Sequence, residues 1–274
     1  MPSPRKKPLV RHTARNSDKH ALYQLAVQSP VEDARFLARL YRSIRGREPR
    51  HLREDFCGTA LLCTTWVRGR GERTAEGFDL CAETLAWGRA HNFPRLGARA
   101  GRIELVRADV RARSRRRPDV RCAQNFSYFV FQRRSELVDY FARARRDLAP
   151  GGIFVLDIYG GSEAADVMEE ERKIDEGFTY VWDQRHYDPA TGHYRTAIHF
   201  RFPDGSELRN AFTYDWRLWT LPEVKDALQE AGFPRVDSYW EGTSADGEGG
   251  NGVYRRSETG ENCPAWVTYL VAYR

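Results

Sequence analysis

The chain has no apolar run approaching the roughly 18 residues that a spanning helix needs, and its mean hydropathy is −0.67. Its five cysteines, Cys57, Cys63, Cys81, Cys122 and Cys263, form no CxxC and no paired spacing. That argues against a disulfide framework or a zinc site and for reduced thiols in a cytoplasmic protein. The full GxGxxG turn of dinucleotide-binding folds is missing, and no metal-ligand spacing occurs, so an NAD enzyme and a zinc hydrolase both lose ground and no metal is expected. The opening MPSPRKKPLVRH is basic, but no apolar segment follows it, so no secretory signal is expected.

What is present is ample for a core. With 274 residues, 41% of them hydrophobic, the chain suffices for one domain or at most two. The net charge of +6 is unevenly spread: residues 1–19 carry net +5 and residues 95–121 net +7, so the remainder is acidic. Such asymmetry admits nucleic acid as a partner. The arginines lack the interleaved aromatics of a base-stacking platform, however, and a solvated face is the favoured reading. Residues 1–19, rich in Pro, Lys and Arg, read as a mobile tail ahead of a domain over 20–274.

From Lys19 the apolar residues fall at helical spacing. Ser29-Pro30 then opens a second helix over 31–45, with Ser29 placed to cap it and Ala34, Leu37, Leu40, Tyr41 and Ile44 on its apolar face. The stretch HLREDFCGTALLC, residues 51–63, puts an acidic pair, Glu54 and Asp55, before a tight turn and a helix start. A carboxylate at a strand end beside exposed backbone N–H groups suits a cationic, hydroxyl-bearing ligand, and Gly58 lets the backbone approach it. A second strand, Thr74–Asp79, also ends in an acid, as does a third over 103–107, followed by Asp109. A fourth strand lies within Asp119–Phe131. A helix from Ser135 then stops at Ala149-Pro150-Gly151-Gly152 and runs into the apolar strand IFVLDIYG.

Three strands followed by acids, together with the L-x-P-G-G turn before a buried strand, resemble the class I S-adenosylmethionine-dependent methyltransferases, small-molecule type. The resemblance is carried best by residues 20–160. Glu54 takes the acid position of the family's first motif and Gly58 its central glycine, while Phe56 and Ala60 stand where the family usually has glycines. The resemblance implies an α/β fold: a Rossmann-like seven-stranded sheet with helices on both faces. It also implies S-adenosylmethionine as cofactor, held by Glu54, Cys57, Gly58 and Thr59. Asp79, 21 residues past Gly58, would take the ribose hydroxyls with Leu80 beside it, or would only cap the next helix. Asp109 and the backbone of Val110 would meet the adenine. Tyr23 and Gln28 would cover the methionine end, with Tyr23 packing the helix pair as the alternative. Asn125, Phe126 and Tyr128 would lie between cofactor and substrate; the alternative is core packing of Phe126, Phe129 and Phe131.

Residues 178–218 depart from the bare fold. Three alternating segments separated by PATG and PDGS turns predict an antiparallel β-meander inserted before the helix LPEVKDALQEAGF, which Thr220 should cap. As a cover it would select the acceptor, with Tyr128, Tyr159, Tyr214, Trp216 and Arg217 as substrate contacts. The alternative is that its aromatics pack a homodimer interface. Strands over 236–240 and 266–273 should complete the sheet, with a polar, glycine-rich loop from Gly242 to Cys263 between them. In-line methyl transfer needs a base only if the acceptor must lose a proton; candidates are Tyr128, His186, His199 and Asp157. Methylation of RNA or DNA is the rival, favoured by the basic tail and the arginine run. No Asn/Asp-Pro-Pro-Tyr/Phe motif and no PC motif supports it. A non-catalytic binder of the cofactor is the third reading.

Overall fold

The computed structural model describes residues 12–243 and 250–274. In chain order the elements are α1 (Lys19–Ala26), α2 (Pro30–Arg45), β1 (His51–Asp55), α3 (Leu61–Trp66), β2 (Thr74–Asp79), α4 (Ala82–His91), β3 (Ile103–Arg107), β4 (Val120–Ala123) and α5 (Arg134–Asp147). They continue with β5 (Ile153–Gly160), β6 (Met168–Ile174), β7 (Phe178–Tyr187), β8 (His193–Arg201), β9 (Glu207–Arg217), α6 (Leu221–Glu230), β10 (Arg235–Thr243), β11 (Gly250–Arg256) and β12 (Trp266–Tyr273). Two compact units result. One comprises Ser29–Ala164 with Arg217–Arg274; the other joins the segment ending at Gln28 to Ala165–Trp216.

The larger unit is built on an eight-stranded sheet in the order β11-β10-β12-β5-β4-β1-β2-β3. Strands β3, β2, β1, β4 and β5 run parallel, and β12 pairs antiparallel with both β5 and β10. Seven strands were expected; the eighth, β11, falls in the stretch expected to be a loop. It pairs with β10, and the Tyr254 ring packs 5.0 Å from that of Phe36. A strand lying between glycines carries too weak an alternation to be recognised from sequence, while its neighbour strand supplies the pairing.

Local signals place the helices. Pro30 begins α2 and Gly46, in the left-handed region at φ 68°, ends it. Ser29 holds the cap position, but its side chain makes no capping bond. Thr220 and Glu223 form the reciprocal capping box of α6. The turn after α5 closes with the Gly152 N–H donating to the Ala149 carbonyl at 2.7 Å, which delivers the chain into β5.

The smaller unit is a four-stranded antiparallel sheet in the order β6-β7-β8-β9, one strand more than the expected meander. The added strand reads MEEERKI, and acids and bases at consecutive positions hide its alternation. Leu22 and Ala26 of α1 pack on Phe178, Ile198, Phe200 and Phe202. Residues 12–18, expected to belong to a mobile tail, are tied to this sheet. The Ala14 N–H donates to Ser206 Oγ at 2.9 Å, and Asp18 caps α1. The rest of the expected tail, residues 1–11, and residues 244–249 of the expected loop lie outside the described residues. Among the described residues no helix is long and apolar enough to cross a membrane.

Candidate active site

The carboxyl ends of the parallel strands gather the unusual features of the larger unit. Four non-glycine residues there have positive φ: Phe56 (53°) and Ala60 (55°) after β1, and Asn125 and Phe126 (both 57°) after β4. A side chain in this region costs on the order of 1–2 kcal/mol, and such residues persist where the surroundings over-determine them. Phe56 and Ala60 stand where the resemblance expects glycines, and the backbone keeps the glycine conformation at both. Gly58 shares it at φ 51°. Helix α4 packs tightly on this turn, for a Cβ added to Gly88 would lie 2.3 Å from the Thr59 carbonyl oxygen.

Three buried or half-buried carboxyl groups lie near this end with no ion-pair partner among the described residues. Glu54 accepts a hydrogen bond from the Cys63 N–H at 3.1 Å, providing the helix cap that Ala60 cannot. Burial pushes its carboxyl up to about 8, helped by the charges of Asp33 and Asp79. Asp157, on β5, accepts from the backbone N–H groups of Asn125 (2.7 Å) and Phe126 (2.9 Å), which pins the strained loop after β4. Its carboxyl is raised to about 7, chiefly by burial. Asp33, on α2, accepts from the Tyr269 hydroxyl at 3.0 Å and is raised to about 6, again mainly by burial. Together they make a site short of positive charge, suited to a cationic ligand.

Asp79 accepts from the Gly58 N–H and the Cys81 N–H, both at 2.8 Å. It therefore serves the start of α4, as the alternative reading held, and also ties the two turns together. An ionised carboxylate has about four acceptor positions, so two remain for hydroxyl donors. Leu80 follows it, 66% exposed. Cys57 and Thr59 are buried, and burial holds the Cys57 thiol well above its usual range.

Other expected residues are placed differently. Asp109 is engaged in a two-pronged pair with Arg111, at 2.9 and 2.7 Å, which lowers its carboxyl below the usual range. An adenine amine would have to share it. The Val110 carbonyl turns inward and accepts from Arg53 and Arg121, both at 2.6 Å. Tyr128 is wholly buried against Phe129 and Phe141, and its hydroxyl has no hydrogen-bond partner among the described residues, so it is closed off from solvent. The rings of Phe126 and Tyr159 pack edge-on at 4.6 Å. Arg217 lies over the Trp219 ring at 3.8 Å and pairs with Glu223, so it anchors the start of α6.

Tyr23, Gln28, His186, His199, Tyr214 and Trp216 belong to the smaller unit. Tyr23 packs on Phe212 at 4.9 Å, and the Gln28 Oε1 is buried without a partner among the described residues. Tyr214 and Trp216 stack at 4.3 Å beside Trp182. His186 lies 5.5 Å from the His193 ring. The His199 Nδ1 accepts from the Asn210 N–H at 2.8 Å, and its Nε2 lies 3.0 Å from Asp183 and 3.1 Å from Arg185. With both ring nitrogens engaged, His199 is no free base. Glu169, Asp183 and His199 lie close enough to share a metal ion, but Arg201 and Arg185 already pair with the two acids.

Sequence reasoning missed Asp33 and a buried charge network behind the site. Arg53 bridges Asp55 (2.7 Å) and Asp147 (3.0 Å), while Arg121 donates to Asp55 at 2.6 Å and approaches Asp147 at 3.3 Å. The Tyr140 hydroxyl adds a 2.7 Å bond to Asp55. The signal was present: Arg53 and Asp55, two apart on one strand, share a face, and Arg121 stands between Val120 and Cys122 in a buried strand.

No family model and no curated protein matches the chain. Among solved structures it is similar to an S-adenosylmethionine-dependent methyltransferase from Clostridium acetobutylicum, with 17% identity, a TM-score of 0.67 and coverage of 92% of this chain and 96% of that one. An amino pentose methyltransferase from Micromonospora echinaspora, solved with S-adenosylmethionine bound, shows 20% identity and a TM-score of 0.65 over 93% of this chain and 95% of that one. A sugar N-methyltransferase from Streptoalloteichus shows 19% identity and a TM-score of 0.60 over 100% and 98%. At these identities the likeness is one of fold, and it runs over nearly the whole of each chain.

Proposed function

We propose that the protein is a cytoplasmic S-adenosylmethionine-dependent methyltransferase acting on a small-molecule acceptor by in-line methyl transfer. The observation that carries this reading is the cation-poor cluster of Glu54, Asp157 and Asp33 beside a turn held in the glycine conformation by Phe56 and Ala60. S-adenosylmethionine, when bound, supplies an electrophilic methyl group on a sulfonium and an ammonium that welcomes carboxylates. Asp79 would accept from the ribose hydroxyls, Leu80 would offer the adenine an apolar surface, and the cluster would balance the positive end. The chain's main contribution is positioning and exclusion of water. Where the acceptor is an amine, as the name of the sugar N-methyltransferase suggests, its ammonium form must give up a proton before attack. Asp157, at about 7, is the group best matched to take it. We assign the choice of acceptor to the antiparallel unit, in which Trp182, Tyr214 and Trp216 pack together.

Calorimetry with S-adenosylmethionine and its demethylated product tests the proposal. Binding of both is expected, and Asp79→Ala should weaken it by about 1.5–3 kcal/mol, the scale of hydrogen bonds to a charged group. Absence of binding at millimolar concentration would overturn the reading. Incubating the enzyme and deuterated-methyl cofactor with metabolite extracts, then reading the mass shift, identifies the acceptor.

A further inference from the structure

The larger unit contains a second concavity that the methyltransferase reading does not use. It has a volume of about 410 Å³ and is walled by the loop from β3 to β4, the last turn of α5 and Arg274. That volume falls within the range of small-ligand sites, about 300–1,000 Å³. The Arg274 N–H donates to the Gly152 carbonyl, which sets that part of the wall at the amino end of β5; Arg111, which grips Asp109 after β3, is the part of the lining nearest the carboxyl end.

Seven arginines line it, and only two have a carboxylate partner: Arg111 pairs with Asp109, and Arg143 with Asp139. Arg113, Arg117, Arg145, Arg146 and Arg274 have none among the described residues. The single acidic side chain in the wall, Asp147, is already engaged by Arg53, Arg121 and Ser114. The Arg145 Nε is buried with no hydrogen-bond partner among the described residues. Burial, and then the charges of Arg117 and Arg145, hold the Arg274 guanidinium below its usual range. Like charges collected in a concavity repel one another unless an anion joins them.

We propose that this cavity binds a compact polyphosphate anion, such as an oligophosphate chain, free or as the tail of a nucleotide. Guanidinium forks present paired N–H donors that match the oxygens of phosphate. The wall holds no aromatic ring, so it offers a base nothing to stack on, and single-stranded nucleic acid is disfavoured. The phosphates alone are read.

The test titrates the full chain with inorganic tripolyphosphate in a calorimeter at low salt. Saturable binding is expected, falling steeply as salt rises. The double variant Arg113→Glu/Arg117→Glu changes two exposed, unpartnered residues, so it should melt with the wild type yet bind at least about tenfold more weakly. Arg146→Gln provides a milder second variant. S-adenosylmethionine affinity should be untouched in both, which separates failure here from failure of the methyltransferase reading. ATP binding as tightly as tripolyphosphate marks a nucleotide tail as sufficient, and weaker ATP binding marks the free chain as the ligand; either supports the site. No saturable heat at millimolar tripolyphosphate overturns the proposal, as does equal affinity in wild type and both variants. So does a single-stranded RNA oligonucleotide that displaces tripolyphosphate at far lower concentration, which would make the surface a nucleic-acid contact.

Discussion

Glu54 and Asp55 are consecutive residues of one strand, both buried, and they meet opposite surroundings. Asp55 has two arginines and a tyrosine hydroxyl around it; Glu54 has a backbone N–H of α3 and no cation. Alternation along the strand sends neighbouring side chains to opposite faces, so β1 separates a charge network completed by the chain itself from acids that meet no cation among the described residues. Burial alone therefore does not mark function. The distinguishing feature is which buried acids lack a counter-charge from their own protein.

The largest effect should come from breaking the completed side. Arg121→Met would leave Asp55 and Asp147 with one cation between them, and removing one partner of a buried pair costs about 3–5 kcal/mol. That is a large share of a typical domain's stability of about 5–15 kcal/mol. Urea denaturation should show the midpoint falling sharply. A midpoint unchanged from wild type would mean that the network is not what holds β1 and β4 to α5.

The two sides were unequally legible in the sequence. Turn chemistry and periodicity gave the L-A-P-G-G stop, the capping box of α6, the bounds of β12 and the hairpins of the antiparallel sheet, because those signals are local. The acids at the ends of β1 and β2 were legible for the same reason. The network was not, since Arg53 and Asp147 are 94 residues apart and HLRED reads as a surface strand until its neighbours on both sides are known. Asp33 was hidden likewise: as one of two acids in the first turn of α2 it looks like a partner for the helix dipole, and only Tyr269 and burial single it out. Strands β6 and β11 were missed because each takes its place from pairing with a neighbour rather than from apolar alternation.

A smaller effect, of distinctive sign, should appear on the incomplete side. The Glu54 carboxyl is raised from 4.5 to about 8, so the folded chain favours its neutral form. The resulting stability is fully present below the unfolded value and is lost as pH rises through about 8. The ligand-free protein should thus melt at a higher temperature near pH 5 than near pH 9 as far as this group is concerned, and Glu54→Gln should flatten that slope. A cationic ligand favours the carboxylate instead. Affinity for S-adenosylmethionine should therefore climb over about pH 6–8, where Asp33, Asp157 and Glu54 lose their protons. Thermal melts and calorimetry across that range check both trends. An identical pH slope in wild type and Glu54→Gln would remove Glu54 from the argument.

The smallest effect falls on Tyr128, which sequence position alone would put at the acceptor. Its ring is sealed between Phe129 and Phe141, its hydroxyl has no hydrogen-bond partner among the described residues, and burial followed by the charge of Asp157 holds its ionisation well above the usual range. A buried hydroxyl without a partner costs about 1–3 kcal/mol of desolvation, so deleting it should help the fold. Tyr128→Phe keeps the ring and its packing, and should gain on the order of 1 kcal/mol in urea denaturation while cofactor affinity and turnover stay at wild-type values. If the hydroxyl instead reaches bound cofactor or acceptor, the same substitution removes a bond in the complex, and affinity or turnover falls. Measuring stability and turnover on one variant separates the outcomes: greater stability with full activity makes Tyr128 a core residue, whereas loss of activity restores it to the site and extends the incomplete side of β1 inward to the Phe129 layer.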